Sequence, residues 1–67
     1  MKFYLTFGQQ SPLRNGWIEI EAESYEEARE LVISIFEKHW AMLYREEGFD
    51  ERVKAYFPLG KLGETLK

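Results

Sequence analysis

The chain has 67 residues, 45% of them hydrophobic and 16% aromatic, with a formal net charge of −3; this leaves room for one small domain, residues 1–67, and excludes a disordered charged tail. The absence of Cys and the single His exclude a disulfide framework, a thiol nucleophile and a cluster of imidazole ligands. No apolar run approaches the roughly 18 residues that cross a bilayer, and residues 1–7 carry neither a long apolar segment nor a small-residue cleavage site, so a soluble cytoplasmic protein with no membrane contact is expected.

Residues 2–7 alternate, with Phe3, Leu5 and Phe7 on one face and Lys2, Tyr4 and Thr6 on the other, the period of a strand with one buried face. Gly8, Pro12 and Asn15-Gly16 punctuate the loop that follows. Residues 17–23 alternate again: Ile18, Ile20 and Ala22 share one face, and Trp17, Glu19, Glu21 and Glu23 the other. Ser24-Tyr25-Glu26-Glu27 reads as a capping box. Ala28, Leu31, Val32, Ile35 and Phe36 then recur at helical spacing as a single apolar stripe. Packed on the hairpin, that stripe gives an expected core of Phe3, Leu5, Phe7, Ile18, Ile20, Leu31, Val32, Ile35 and Phe36.

The next segment has two readings. His39, Trp40 and Leu43 extend the helical stripe, giving a helix over residues 24–47 about 36 Å long at 1.5 Å per residue. Alternatively, the helix stops near Glu37-Lys38 and residues 40–44 form a third strand, with Trp40, Met42 and Tyr44 on one face and Ala41 and Leu43 on the other. Local propensity favours the helix; compactness favours the strand. Beyond Gly48, Asp50 caps a short helix over residues 51–56 whose apolar side is Val53, Tyr56 and Phe57, and Pro58 ends it. Residues 57–67 read as a turn-rich tail, held by Leu59 and Leu62.

Three patches, Phe3-Tyr4-Leu5-Thr6-Phe7-Gly8-Gln9, Trp40-Ala41-Met42-Leu43-Tyr44 and Tyr56-Phe57-Pro58-Leu59-Gly60, together with Glu21-Ala22-Glu23-Ser24-Tyr25-Glu26-Glu27-Ala28-Arg29, resemble small uncharacterised proteins of bacteriophages and prophages. The resemblance spans most of the chain and brings no enzymatic activity with it. It favours the third strand. In those relatives a Gly-containing turn usually precedes the Trp-Ala segment; here Phe36-Glu37-Lys38-His39 stands in its place. With that strand, the elements read from the residues give an α+β fold: a small antiparallel sheet in the order strand, strand, helix, strand, one main helix on one face, a short C-terminal helix and a tail. The implied function is inhibition of a host bacterial protein, as in anti-CRISPR and other anti-defence inhibitors, exerted in the host cytoplasm.

The residues themselves argue against catalysis. His39 is the one side chain that ordinarily titrates near neutrality, and it stands between Lys38 and Trp40 with no nucleophile in view. Glu46-Glu47 and Asp50-Glu51 match no calcium loop, and Gly60-Lys61-Leu62-Gly63 lacks phosphate-loop spacing. No enzyme activity and no cofactor are expected. Bases and acids nearly balance in residues 38–67, so direct nucleic-acid binding is not expected either.

Residues 17–37 are different, with seven carboxylates against the single base Arg29. Glu19, Glu21 and Glu23 recur at about 6.6 Å along a strand, near every second phosphate of a nucleic-acid strand, which raises an acidic mimic as one alternative. A solvated, edge-protecting strand face is the plainer one. Tyr4 and Trp17 project from the face opposite the expected core and are suited to anchoring an interface. Tyr4, Trp17, Glu19, Glu21 and Glu23 are therefore the expected protein-binding set. Because single cores below roughly 70–80 residues rarely supply more than about 3–5 kcal/mol, a homodimer is also expected. A self-associating assembly module, with Tyr4 and Trp17 in its seam and no host target, is the competing reading.

Overall fold

A computed structural model covers residues 1–67. Strands β1 (Lys2–Thr6) and β2 (Gly16–Glu21) form the expected hairpin, and α1 (Tyr25–Phe36) follows. Next come β3 (Met42–Arg45), a 3-10 turn (Glu46–Gly48), the short helix α2 (Glu51–Lys54) and β4 (Gly60–Lys61). The sheet runs β3-β1-β2-β4. β1 is antiparallel to both β2 and β3, and β4 lies parallel to β2, so the architecture is α+β with a mixed sheet. The tail thus adds a fourth, parallel strand to the expected antiparallel three.

Ser24 caps α1 as its spacing predicts: its hydroxyl accepts from the Glu27 N–H at 3.2 Å, and the Glu27 carboxylate accepts from the Glu23 N–H at 3.3 Å. Ala28 and Val32 are fully buried, and the small Ala28 side chain lets the helix lie close to the sheet. Tyr25 meets Phe3 edge-on at 6.0 Å and Phe36 meets Phe7 edge-on at 5.6 Å. Ile35 departs from expectation and is 50% exposed. It lies about 100° around the helix from Phe36, on the flank turned away from the sheet, and Phe36 takes the place against Phe7. Leu43 completes the core from β3.

The helix stops at Phe36 and a third strand follows, but it runs Met42–Arg45 and not over residues 40–44, which leaves Trp40 and Ala41 ahead of it. A helix of about 36 Å would overshoot a molecule whose longest dimension is 27 Å. Glu37 makes the break with φ 56° and ψ −111°, while its N–H still donates to the Ile33 carbonyl at 2.9 Å. Its carbonyl accepts from the Trp40 indole N–H, also at 2.9 Å. It is the one non-Gly residue with positive φ, in a region that costs an L-residue about 1–3 kcal/mol. Glu37→Gly is therefore expected to stabilise the fold by about 1 kcal/mol once the extra chain entropy of glycine, about 0.5–1 kcal/mol, is deducted. That corresponds to a rise of roughly 4–8 °C in melting temperature. A melt at or below the wild-type temperature would show that the turn holds no strain.

The second face of the sheet is also covered. Every β1 residue after Lys2 is buried, the mark of a central strand with a layer on each side. The second layer is the segment after β3. Asp50 caps α2 by accepting from the Arg52 and Val53 N–H groups at 3.1 Å each. The preceding Phe49, only 2% exposed, drops onto the sheet. Its ring centroid lies 4.8 Å from that of Tyr4, 5.1 Å from Tyr44, 5.3 Å from Trp17 and 5.9 Å from Phe57. α2 is shorter than expected, and Tyr56, placed by spacing on its apolar side, points to solvent.

The tail is tied to β2 along its length. The Leu62 N–H donates to the Trp17 carbonyl at 2.8 Å, the Leu66 N–H to Glu19 at 2.9 Å and the Glu21 N–H to Leu66 at 2.8 Å. Leu62 and Leu66 pack on the core, and the Leu62 side chain leaves no room for a Cβ at Gly16, which it would meet at 2.6 Å.

Candidate functional site

The five expected contact residues lie together on β1, on β2 and just beyond it, but not as one open surface. Tyr4 pairs in register with Glu19, and Thr6 with Trp17. Tyr4 is 5% exposed, stacked beneath Phe49, so it forms a floor and not a contact. Burial, followed by the neighbouring Glu19 charge, pushes its phenol above the usual tyrosine range. Trp17 is half-buried, edge-on to Phe49. The Lys54 ammonium lies 5.3 Å from the Tyr4 ring and 5.8 Å from the Trp17 ring, closing that layer. Tyr4 is thus closed to a partner, while Trp17 keeps only part of its surface exposed.

The carboxylates are equally unlike one another. Glu19 accepts a hydrogen bond from the Thr65 hydroxyl at 2.5 Å and lies 3.6 Å from the Lys61 ammonium and 3.8 Å from that of Lys2. The Thr65 hydrogen bond, with the two lysines behind it, holds its carboxyl below the usual glutamate range despite partial burial. Glu21 is exposed, 3.6 Å from the chain's amino terminus. Glu23 lies past the end of β2 and is exposed. A row of free, evenly spaced charges, which nucleic-acid mimicry requires, is not present on this strand.

No group of three or more His, Asp or Glu side chains is placed to hold a metal ion, and His39 is exposed. No helix is long and apolar enough to cross a membrane.

Two other surfaces stand out, at opposite edges of the sheet. Beside β3, Trp40 separates two shallow depressions of about 540 and 490 Å3. Arg29, Ile33 and Ala41 line the first, Pro12 and His39 the second, and Lys38 both. Beyond α2, Tyr56 and Leu59 are 79% and 62% exposed. They flank Phe57, which reaches into the second layer, and the Leu59 N–H donates to the Asn15 carbonyl at 2.8 Å, so the segment is anchored. Leu13, in the same loop as Asn15, is also exposed. The sequence signal was present in Tyr56-Phe57-Pro58-Leu59-Gly60, but helical spacing assigned Tyr56 to the interior.

Comparison with known proteins places the chain in no described group: no family model matches it, and neither does any curated protein or solved structure.

Proposed function

We propose that the chain is a non-enzymatic binding protein of phage type that inhibits a host bacterial protein, a component of a CRISPR-type or other defence system being the target class that its resemblance to small phage proteins favours. The observation that carries this reading is the exposed pair Tyr56 and Leu59, held on a fixed turn and used by neither packed layer. Tyrosine buries a large area at low entropy cost, and such anchors dominate binding energy when a partner covers them. Glu21 and Glu23 remain exposed and belong to the proposed contact set as charges, whereas Tyr4, Trp17 and Glu19 support it from within.

The test is capture from a bacterial lysate by the tagged chain and by a Tyr56→Ala/Leu59→Glu variant, paired with a defence assay in cells expressing each. The wild type should retain a defined protein and relieve the block to phage infection. The variant should bind at least roughly 30-fold more weakly, the size of a hot-spot loss of about 2 kcal/mol, with stability changed by no more than about 0.5 kcal/mol. Retention of the same protein by the variant would move the surface elsewhere, and an inert wild type would end the reading. The self-associating module is the second reading, favoured by the free edge of β3.

A further inference from the structure

We infer that the β3 edge pairs with itself: a second copy of this chain lays its own β3 antiparallel alongside, about a two-fold axis, joining two four-stranded sheets into one. β3 has β1 as its only strand neighbour, so one side of its backbone is unpaired. Natural edges are usually blunted by shortness, lysine or proline. The opposite edge has such protection, because β4 is two residues long and one of them is Lys61. β3 has four residues and neither Lys nor Pro, and its Met42 is half-exposed, with the apolar groove of Ile33, Trp40 and Ala41 beside its start.

Charge identifies the occupant. Lys38 and His39 stand before the strand, and Glu46 and Glu47 follow it. Lys38, Glu46 and Glu47 have no ion-pair partner within the chain. Of the bases at the acidic end, Arg45 lies over the Tyr25 ring at 4.6 Å, while Lys2 and the Met1 amino group, which line a depression with Glu46 and Glu47, lie 3.8 Å from Glu19 and 3.6 Å from Glu21. With the two-fold axis at Met42–Leu43, antiparallel self-pairing sets the start of one strand beside the end of the other, so position 38 of each copy falls opposite positions 46 and 47 of its mate at both ends of the seam. An isologous interface satisfies both sets at once. This pairing goes beyond host binding and uses the edge opposite Tyr56 and Leu59, so a dimer still presents that pair on each copy.

Sedimentation equilibrium of the purified chain tests it. The wild type should show a monomer–dimer equilibrium. Lys38→Glu and Glu47→Lys should each weaken the dimer about tenfold or more, because each sets like charges together at both ends. An equimolar mixture of the two variants should restore association, since opposite charges then meet at both ends. Met42→Lys, which puts a guard lysine on the edge, should also give monomer, and all three substitutions fall at exposed positions, leaving thermal melts unchanged at dilutions where the wild type is itself monomeric. A wild type that is monomeric at roughly millimolar concentration, the weak limit of specific pairing, would overturn the inference. So would a dimer indifferent to the charge variants or to Met42→Lys. No lysate enters this experiment, so its failure leaves the host-binding proposal standing, and the reverse holds.

Discussion

Phe49→Ala should lower the free energy of unfolding by about 3–5 kcal/mol, the range for deleting a buried phenylalanine. A domain of this size has about that much to lose, so the variant should be largely unfolded, or close to it, at 25 °C. The ring fills the space among Tyr4, Trp17, Tyr44 and Phe57, and the Lys54 side chain, whose ammonium lies over Tyr4 and Trp17, brings a charge there and not apolar volume to refill it. Removing it opens a cavity bounded by the sheet on one side and by short, weakly connected elements on the other. Urea unfolding followed by tryptophan fluorescence measures the loss directly, because Trp17 sits against the ring. Phe49→Leu, which refills most of the space, should recover a large share of the stability. A loss below about 1 kcal/mol from Phe49→Ala would mean that the second layer does not dock in solution.

Glu19→Ala should cost about 1.5–3 kcal/mol, the range for hydrogen bonds to a charged group, and should loosen the tail specifically. The hydroxyl of Thr65 loses its acceptor, and Lys2 and Lys61 lose the charge they share. Both lysines are nearly half-exposed, so water screens their part, and the Thr65 hydrogen bond dominates. The sign of the pH dependence follows. The folded protein holds Glu19 below its ordinary range, so its contribution is complete above the unfolded value of about 4.3 and fades as pH falls through the lower folded value. Tyr4 acts in the alkaline direction: its phenol is raised in the fold, so that contribution is complete below about 10 and fades as pH rises through the higher folded value. Denaturation curves across the acid range should show Glu19→Gln with a smaller acid loss than wild type. Equal acid sensitivity in the two proteins would remove Glu19 as the cause. Hydrogen exchange at Leu62 and Leu66 should rise in Glu19→Ala before exchange in β1 does.

What the sequence made readable was whatever repeats. Alternation placed β1 and β2, and the Ser24 cap with the Ala28–Val32–Phe36 spacing placed α1. The 40–44 segment had no decisive local signal, because Trp40, Leu43 and Tyr44 suit either period; the helix ends where molecular size requires it, at a residue with no propensity for the conformation it adopts. Phe49 was invisible. It is one aromatic between Gly48 and Asp50, and its role depends on a face of β1 that the Lys2, Tyr4, Thr6 pattern marks as solvent-facing. Consequently the expected site shared its residues with the second layer. Tyr4 and Trp17 read as projecting anchors because nothing in the sequence says what lies over them. Glu19 read as a free charge because Thr65, 46 positions away, leaves no local trace. β4, two residues long, is too short to show a period.

The hydrogen bonds at the two extremities of the chain both end on β2. The Met1 carbonyl accepts from the Ala22 N–H, and Leu66 brackets Ile20 through Glu19 and Glu21. Residues 1 and 66 are thus separated by little more than the width of one strand, on the order of 10 Å. In backbone terms the molecule is close to a ring, which a few added residues would close, and the peptide bond at which it opens could be transferred to an outer loop without disturbing either packed layer.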